Sequence, residues 1–290
     1  MPILHAVILG ITQGLSEFLP ISSSGHLLLV PWLFGWHDFV VAGTHSDSLE
    51  KTFDVALHIG TLIGAIAYFR ADIVTLAKAA LWRAPAEVTK GTLAADHPSP
   101  ADDRRLAWLL VVASIPGALV GAALESTIEE RLGQFWLIGI MLVVFGLVLL
   151  WADRLGGTRA VPDFRLRDAL LMGSGQALAL SPGVSRSGIT ITVSRRLGFD
   201  RDAAARLSFL MALPITGGAV LYKGAKLLGD GFPSGFEWPF VWGIVASAVT
   251  GYAAVWAVLR IIRTRSFTPF VVYRVVAGLA VVAIYGAGIR

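Results

Sequence analysis

The chain has 290 residues, 55% of them hydrophobic and only 15% charged, with a formal net charge of +4 and a mean hydropathy of +0.70. So few charges cannot cover a water-facing surface, whereas a lipid-facing one needs none, so the composition argues against an ordinary soluble domain. There is no cysteine, which removes disulfides, thiolate metal sites and cysteine nucleophiles. The basic balance does not indicate nucleic acid, because the Lys and Arg residues sit in short connections between apolar runs rather than in a stripe interleaved with aromatics.

The N-terminal stretch MPILHAVILGITQGL has neither a basic leader nor a small-residue cleavage site, so it reads as a first apolar segment and not a removable signal. The run it opens, 3–35, is broken at LPISSSGH. Uninterrupted apolar runs follow at 53–69, 106–124 and 136–151. A second broken run, 168–197, is interrupted at SPGVSRSGIT, and uninterrupted runs follow again at 203–228, 238–260 and 270–288. The uninterrupted runs are long enough, or nearly so, to cross about 30 Å of hydrocarbon. Neither half of a broken run is. Pro and Gly beside clustered hydroxyls predict two short helices joined by a loop at bilayer depth, which is tolerated only where the loop is buried in protein or lines a wet cavity. Pro-kinked spanning helices are the alternative.

The two broken runs resemble each other. An ungapped offset of 163 lays Gly10 on Gly173, Gln13 on Gln176, Leu15 on Leu178, Ile21 on Val184, Ser22 on Ser185, Ser24 on Ser187 and Gly25 on Gly188. Three spanning candidates follow each copy, and an odd number of crossings turns one copy upside down relative to the other. The expectation is an all-α integral membrane protein with about six spanning helices and two re-entrant helical hairpins in an inverted-topology repeat. It forms a single polytopic domain over 1–290, with repeats of about 1–151 and 168–290. With the N-terminus outside, the inside segments 70–105, 152–168, 195–206 and 260–268 hold 17 of the 24 Lys and Arg residues, as the positive-inside rule requires. Both termini then lie on the outer side. The stretch 83–105 reads as a mobile cytoplasmic connection. Trp32, Trp36, Trp136, Trp151, Trp238 and Trp242 read as interfacial anchors.

Chemistry concentrates in the two breaks. Gln13 and Glu17, four apart, share a helix face; a carboxylate in a membrane segment usually faces a cavity with a partner. With the neighbouring amide oxygen it makes half of a hard-cation site for Mg2+ or Ca2+, a packing role for Gln13 being the alternative. Ser22, Ser23 and Ser24 follow, then Gly25, which allows close backbone approach, and His26. A hydroxyl near an imidazole suits nucleophilic attack or acid–base catalysis. In the second break Arg186 carries a guanidinium whose fork matches phosphate, and pairing with Glu17 for structure is its other reading. Ser185, Ser187, Thr190 and the N–H groups around Gly188 add donors to an oxyanion cradle. Asp54 and His58, four apart, extend the pocket or hydrate its mouth. Arg274 reads as an interhelical contact to a carbonyl or carboxylate.

The segment QGLSEFLPISSSGH resembles the (E/Q)xxxE…SSxGH motif of undecaprenyl-diphosphate phosphatases, also called bacitracin-resistance proteins, and SPGVSRSGIT resembles their PGxSRSxxT motif. The similarity extends over FDVALHIGT, ASIPGALVG and LSFLMALP to essentially the whole chain. It implies hydrolysis of undecaprenyl diphosphate to the monophosphate and inorganic phosphate in a bacterial plasma membrane, recycling the lipid carrier for peptidoglycan and related polymers. It further implies a divalent cation, Mg2+ or Ca2+, and allows a homodimer. Carried onto this chain, Glu17 is the essential acid and metal contact, Ser23 and His26 are catalytic, and Arg186 binds the diphosphate. Many members have Glu where this chain has Gln13, which supplies no second charge. Attack comes from Ser23 or from water activated by Glu17 or His26. A secondary transporter or lipid-phosphate flippase is the rival, since inverted repeats with broken helices are also a transporter plan.

Overall fold

The computed structural model describes residues 1–41, 44–45, 47–81, 100–230 and 235–290. The first break separates α1 (Ile3–Phe18) from α2 (Ser23–Phe34), and these have 16 and 12 residues. At 1.5 Å per residue they reach about 24 and 18 Å, too short to cross alone. A short antiparallel pair, Val40–Val41 with Thr44–His45, follows, and the described residues add to it only an isolated parallel bridge between Arg159 and Phe199. Next come α3 (Asp47–Tyr68), α4 (Arg70–Leu81), α5 (Pro100–Leu132) and α6 (Phe135–Arg154). The second half consists of α7 (Leu166–Ala177), the break, α8 (Arg186–Arg196), α9 (Arg201–Asp230), α10 (Glu237–Ile262) and α11 (Thr268–Gly286).

Five stretches are long and apolar enough to span: Ala101–Leu124, Phe135–Arg154, Arg201–Tyr222, Glu237–Ile262 and Thr268–Gly286. The sixth spanning candidate is the pair α3–α4, bent by 84° where Phe69 separates them. The helix over α4 was not expected from the sequence, and the stretch read as a cytoplasmic connection lies outside the described residues up to position 99. On α10 the exposed residues Trp238, Val241, Trp242, Val245, Val249, Tyr252 and Trp256 recur at three- and four-residue spacing. Such a stripe is a lipid-facing surface, and the opposite face of the helix is buried. Trp136 and Trp151 are likewise exposed at opposite ends of α6. Trp32 and Trp36 pack inward instead, stacking on Phe135 at 4.7 Å and on His5 at 3.8 Å.

The halves embrace. The helix α1 packs on α10, which also holds α3, while α7 packs on α5, and α6 pairs with α11. The aligned glycines Gly10 and Gly173 do the same work in this exchange. A Cβ on Gly10 would strike the carbonyl of Gly243 in α10, and one on Gly173 the carbonyl of Ala113 in α5. Either side chain would push the short helix off the spanning helix that supports it.

Residues from all four arginine-rich segments meet at one end of the bundle. Arg105 donates to the carbonyls of Pro162 and Phe164, at 2.7 and 3.1 Å. Asp153 accepts from Arg201 at 2.6 Å and from the backbone N–H of Phe267 at 3.2 Å, with Arg195 also at 3.6 Å. Arg206 and Arg263 both pair with Asp202. Among the described residues these contacts tie the ends of α6, α8 and α10 to the starts of α9 and α11, and the start of α5 to the connection before α7.

Candidate active site

The two breaks fold alike. Ser22 and Ser185, aligned in sequence, both adopt positive φ, 79° and 74°, and they are the only non-glycine residues to do so among those described. A left-handed serine costs on the order of 1–3 kcal/mol and persists only where its surroundings hold it. Here each hydroxyl caps the helix that follows, Ser22 accepting from the Gly25 N–H at 3.4 Å and Ser185 from the Gly188 N–H at 3.1 Å. The turn turns the next residue, Ser23 or Arg186, into a common cavity. Both therefore stand at the first position of a helix whose free N–H groups favour an anion.

The cavity has a volume of about 310 Å³ and is partly open; it is lined by Glu17, Ser23 and Ser24 from the first break and by Ser185 and Arg186 from the second. Glu17, 6% exposed, is its centre. Its Oε1 accepts from Arg186 Nη2 at 2.7 Å, and its Oε2 accepts from the Ser23 hydroxyl at 2.5 Å and from Gln13 Nε2 at 3.1 Å. His58 Nε2 lies 3.8 Å from the same Oε2. A nucleophile in contact with a carboxylate that a third group orients is the arrangement of an activated hydroxyl. The helix α3 forms another wall through Lys51, Asp54 and His58, so two of these three were legible in the sequence as a pocket extension.

Other sequence candidates lie behind this front. Ser22 Oγ also accepts from the Gly183 N–H at 3.0 Å, and Ser187 donates to the Leu19 carbonyl at 3.1 Å, so both stitch one break to the other. Thr190 bonds the Arg186 carbonyl at 2.8 Å and the Ser208 hydroxyl at 2.7 Å. Gly25 allows close approach, but to Gly183 of the other loop, and Gly188 makes room for the guanidinium of Arg274. His26 is not against Ser23. Its Nδ1 bonds the Ser22 carbonyl at 2.7 Å, and because a carbonyl only accepts, that nitrogen carries a proton. Its Nε2 meets the Tyr273 hydroxyl at 2.7 Å.

Arg274 is fully buried on α11 and donates to five carbonyls. These belong to Pro20 in the first break, Gly183 and Val184 in the second, and Met141 and Leu142 on α6. The sequence indicates a carbonyl or carboxylate partner for it, and carbonyls are what it finds. Its grip on both breaks at once had no local signal, because Pro20 and Arg274 are 254 positions apart. Replacing it by Met strands those acceptors at about 1–3 kcal/mol each. Arg274→Met is therefore expected to lower the thermal unfolding midpoint in detergent by about ten degrees or more, with Arg274→Lys intermediate. An unchanged midpoint for Arg274→Met would show that the clamp adds nothing to stability.

Comparison with known proteins decides the family. The family described as bacitracin resistance protein BacA matches residues 6–280. The chain belongs to the BacA family. It is 47% identical to the undecaprenyl-diphosphatase of Pelobacter propionicus over 291 residues, covering 100% of this chain and 99% of that protein. It is 46% identical to the one of Geobacter sulfurreducens over 285 residues, covering 98% of both. The undecaprenyl-diphosphatase of a Nocardioides species is 44% identical over 291 residues, with coverage of 99% and 97%. This BacA-family chain thus matches proteins named for a lipid diphosphate, and its cavity sets a carboxylate, a hydroxyl and a guanidinium in contact.

Proposed function

We propose that this membrane protein is an undecaprenyl-diphosphatase, releasing inorganic phosphate from undecaprenyl diphosphate and returning the monophosphate lipid to cell-wall synthesis in the bacterial inner membrane. The observation that carries the chemistry is the run of contacts Ser23–Glu17–Arg186 in a cavity at the meeting of two helix N-termini. Phosphoryl transfer depends chiefly on positioning and on neutralising the phosphoryl oxygens. The N–H groups that open α2 and α8 and the Arg186 fork supply that neutralisation. Ser23 Oγ attacks the terminal phosphorus, and its proton passes to Glu17 Oε2. The bond from that phosphorus to the bridging oxygen breaks, and undecaprenyl phosphate departs with the electron pair. Water then attacks the phosphoserine and passes a proton to solvent in the cavity; the bond from phosphorus to Ser23 Oγ breaks, Glu17 Oε2 returns its proton to that oxygen, and inorganic phosphate leaves.

A divalent cation, Mg2+ or Ca2+, belongs to the proposal. The Oε1 of Gln13 is buried without a hydrogen-bond partner among the described residues, on the amide whose Nε2 donates to Glu17 Oε2. Among the described residues no three His, Asp or Glu side chains form a closed cage. That donor set suits a cation that keeps water and substrate phosphates as ligands, held on the protein side by Glu17 and Gln13. When bound it would supply further neutralisation of the diphosphate. His26, held by Ser22 and Tyr273, orients the start of α2 in this mechanism.

The proposal places both termini outside. The clustering of the four arginine-rich segments at one end supports it, since one shared side is what the positive-inside rule demands of them. The whole proposal is tested with purified protein in detergent, where no second compartment exists. Phosphate release from undecaprenyl diphosphate is expected. Binding of the lipid without phosphate release would favour the transporter or flippase instead.

A further inference from the structure

Gln176 lies in the last turn of α7 and lines the cavity with Glu17, Ser23 and Arg186. It is 3% exposed, and neither its Nε2 nor its Oε1 has a hydrogen-bond partner among the described residues. A buried amide left unmet at both ends is costly, and native interiors rarely keep one without an occupant to meet it. Space has been left for it as well. Gly117 of α5 faces it, and a Cβ there would lie 3.3 Å from Nε2.

The first half of the molecule indicates what is missing. The offset that aligns the two breaks lays Gln176 on Gln13. Gln13 gives its Nε2 to the carboxylate of Glu17 at 3.1 Å. The same offset lays Leu180 on Glu17, so the second half keeps the amide and has lost its anion. Leu180 lines the cavity too, so where the first half sets a carboxylate beside its amide the second half has an apolar side chain, and the Gln176 amide stays buried in the cavity wall without an anion. A non-bridging phosphate oxygen carries negative charge and only accepts hydrogen bonds, as a carboxylate oxygen does.

We propose that Gln176 is a substrate-binding residue whose Nε2 donates to a phosphate oxygen of the bound lipid diphosphate, the substrate taking in the second half the place that Glu17 holds in the first. Arg186 and Gln176 then grip the phosphate from α8 and α7, while Oε1 of Gln176 accepts from cavity water. The inference rests on the diphosphatase proposal above.

Wild type, Gln176→Leu and Gln176→Glu are compared in detergent by phosphate release from undecaprenyl diphosphate and by thermal unfolding with and without inorganic diphosphate. Gln176→Leu removes an unmet amide, so its midpoint without ligand is expected to equal or exceed that of wild type. Its KM is expected to rise about tenfold to a hundredfold, and the stabilisation by inorganic diphosphate to shrink. Gln176→Glu, setting like charge against the phosphate, is expected to raise KM further. An unchanged KM and an unchanged thermal shift in Gln176→Leu would overturn the proposal, as would a lowered midpoint with wild-type KM, which assigns the amide to packing. Absence of hydrolysis by wild type would remove the diphosphatase proposal itself, and the inference with it.

Discussion

Arg186→Ala is expected to lower phosphate release about a thousandfold or more, the scale at which a guanidinium aimed at a transferring phosphoryl group acts. In the resting structure the only partner of the Arg186 side chain among the described residues is Glu17, at 2.7 Å, so a purely structural ion pair makes a rival prediction. A broken buried pair destabilises because it strands a charge, and removing both charges together relieves that cost. The double variant Glu17→Gln, Arg186→Gln therefore separates the two. If the pair is only structural, the double variant recovers folding and activity. If Arg186 binds the diphosphate, the double variant recovers its unfolding midpoint but is stabilised less by inorganic diphosphate than Glu17→Gln alone, a difference that loss of the Glu17 base does not produce. Activity within about tenfold of wild type in that double variant would remove Arg186 from the chemistry. Arg186→Lys keeps the charge and loses the planar fork, so it is expected to fall between wild type and Arg186→Ala.

The front of the site was legible because bilayer depth makes polar residues expensive. Glu17 and Arg186 stand out in apolar runs, and each needs a partner of opposite charge, which each supplies to the other. The breaks themselves were readable from Pro, Gly and Ser at the one place where the helical pattern fails. The offset of 163 reached further than expected, since it also aligns Ser23 with Arg186, Glu17 with Leu180 and His26 with Ile189. One backbone turn, used twice, presents a nucleophile in one half and a phosphate ligand in the other.

What the sequence hid lay at long range or on the wrong face. His26 stands three positions after Ser23, which suggests contact, but its ring turns back to the Ser22 carbonyl and stacks on Tyr273 of α11. Sequence proximity at the start of a helix does not fix which neighbour a ring meets. The hydroxyls of Ser22, Ser187 and Thr190 look like ligand donors in a motif, yet each closes a backbone or hydroxyl contact within the scaffold. A loop at bilayer depth has many carbonyl and N–H groups to satisfy without water, and most of the motif's polar atoms serve that need. Arg274 belongs to the same account. It satisfies carbonyls of both breaks from a helix far along the chain, where only its charge in an apolar run marked it.

Ser23→Ala separates a covalent route from direct attack by water. Ser23 Oγ is 2.5 Å from Glu17 Oε2, and the other oxygen of that carboxylate is held by Arg186. Attack by water would need a water at that carboxylate in place of the hydroxyl already bonded there. The covalent route also splits the reaction so that each step uses the same anion-binding helix starts. Ser23→Ala is therefore expected to lose about a hundredfold to ten-thousandfold in phosphate release, the range that loss of a positioned catalytic group spans. Its midpoint is expected to change little, since the Glu17–Arg186 pair and the Gln13 bond to Glu17 survive the substitution. Acid quench of wild type during turnover, with substrate labelled at the terminal phosphate, is expected to leave label on the peptide containing Ser23. Label absent from wild type, together with near wild-type release by Ser23→Ala, would exclude the phosphoserine and leave water as the nucleophile, with Glu17 as its base.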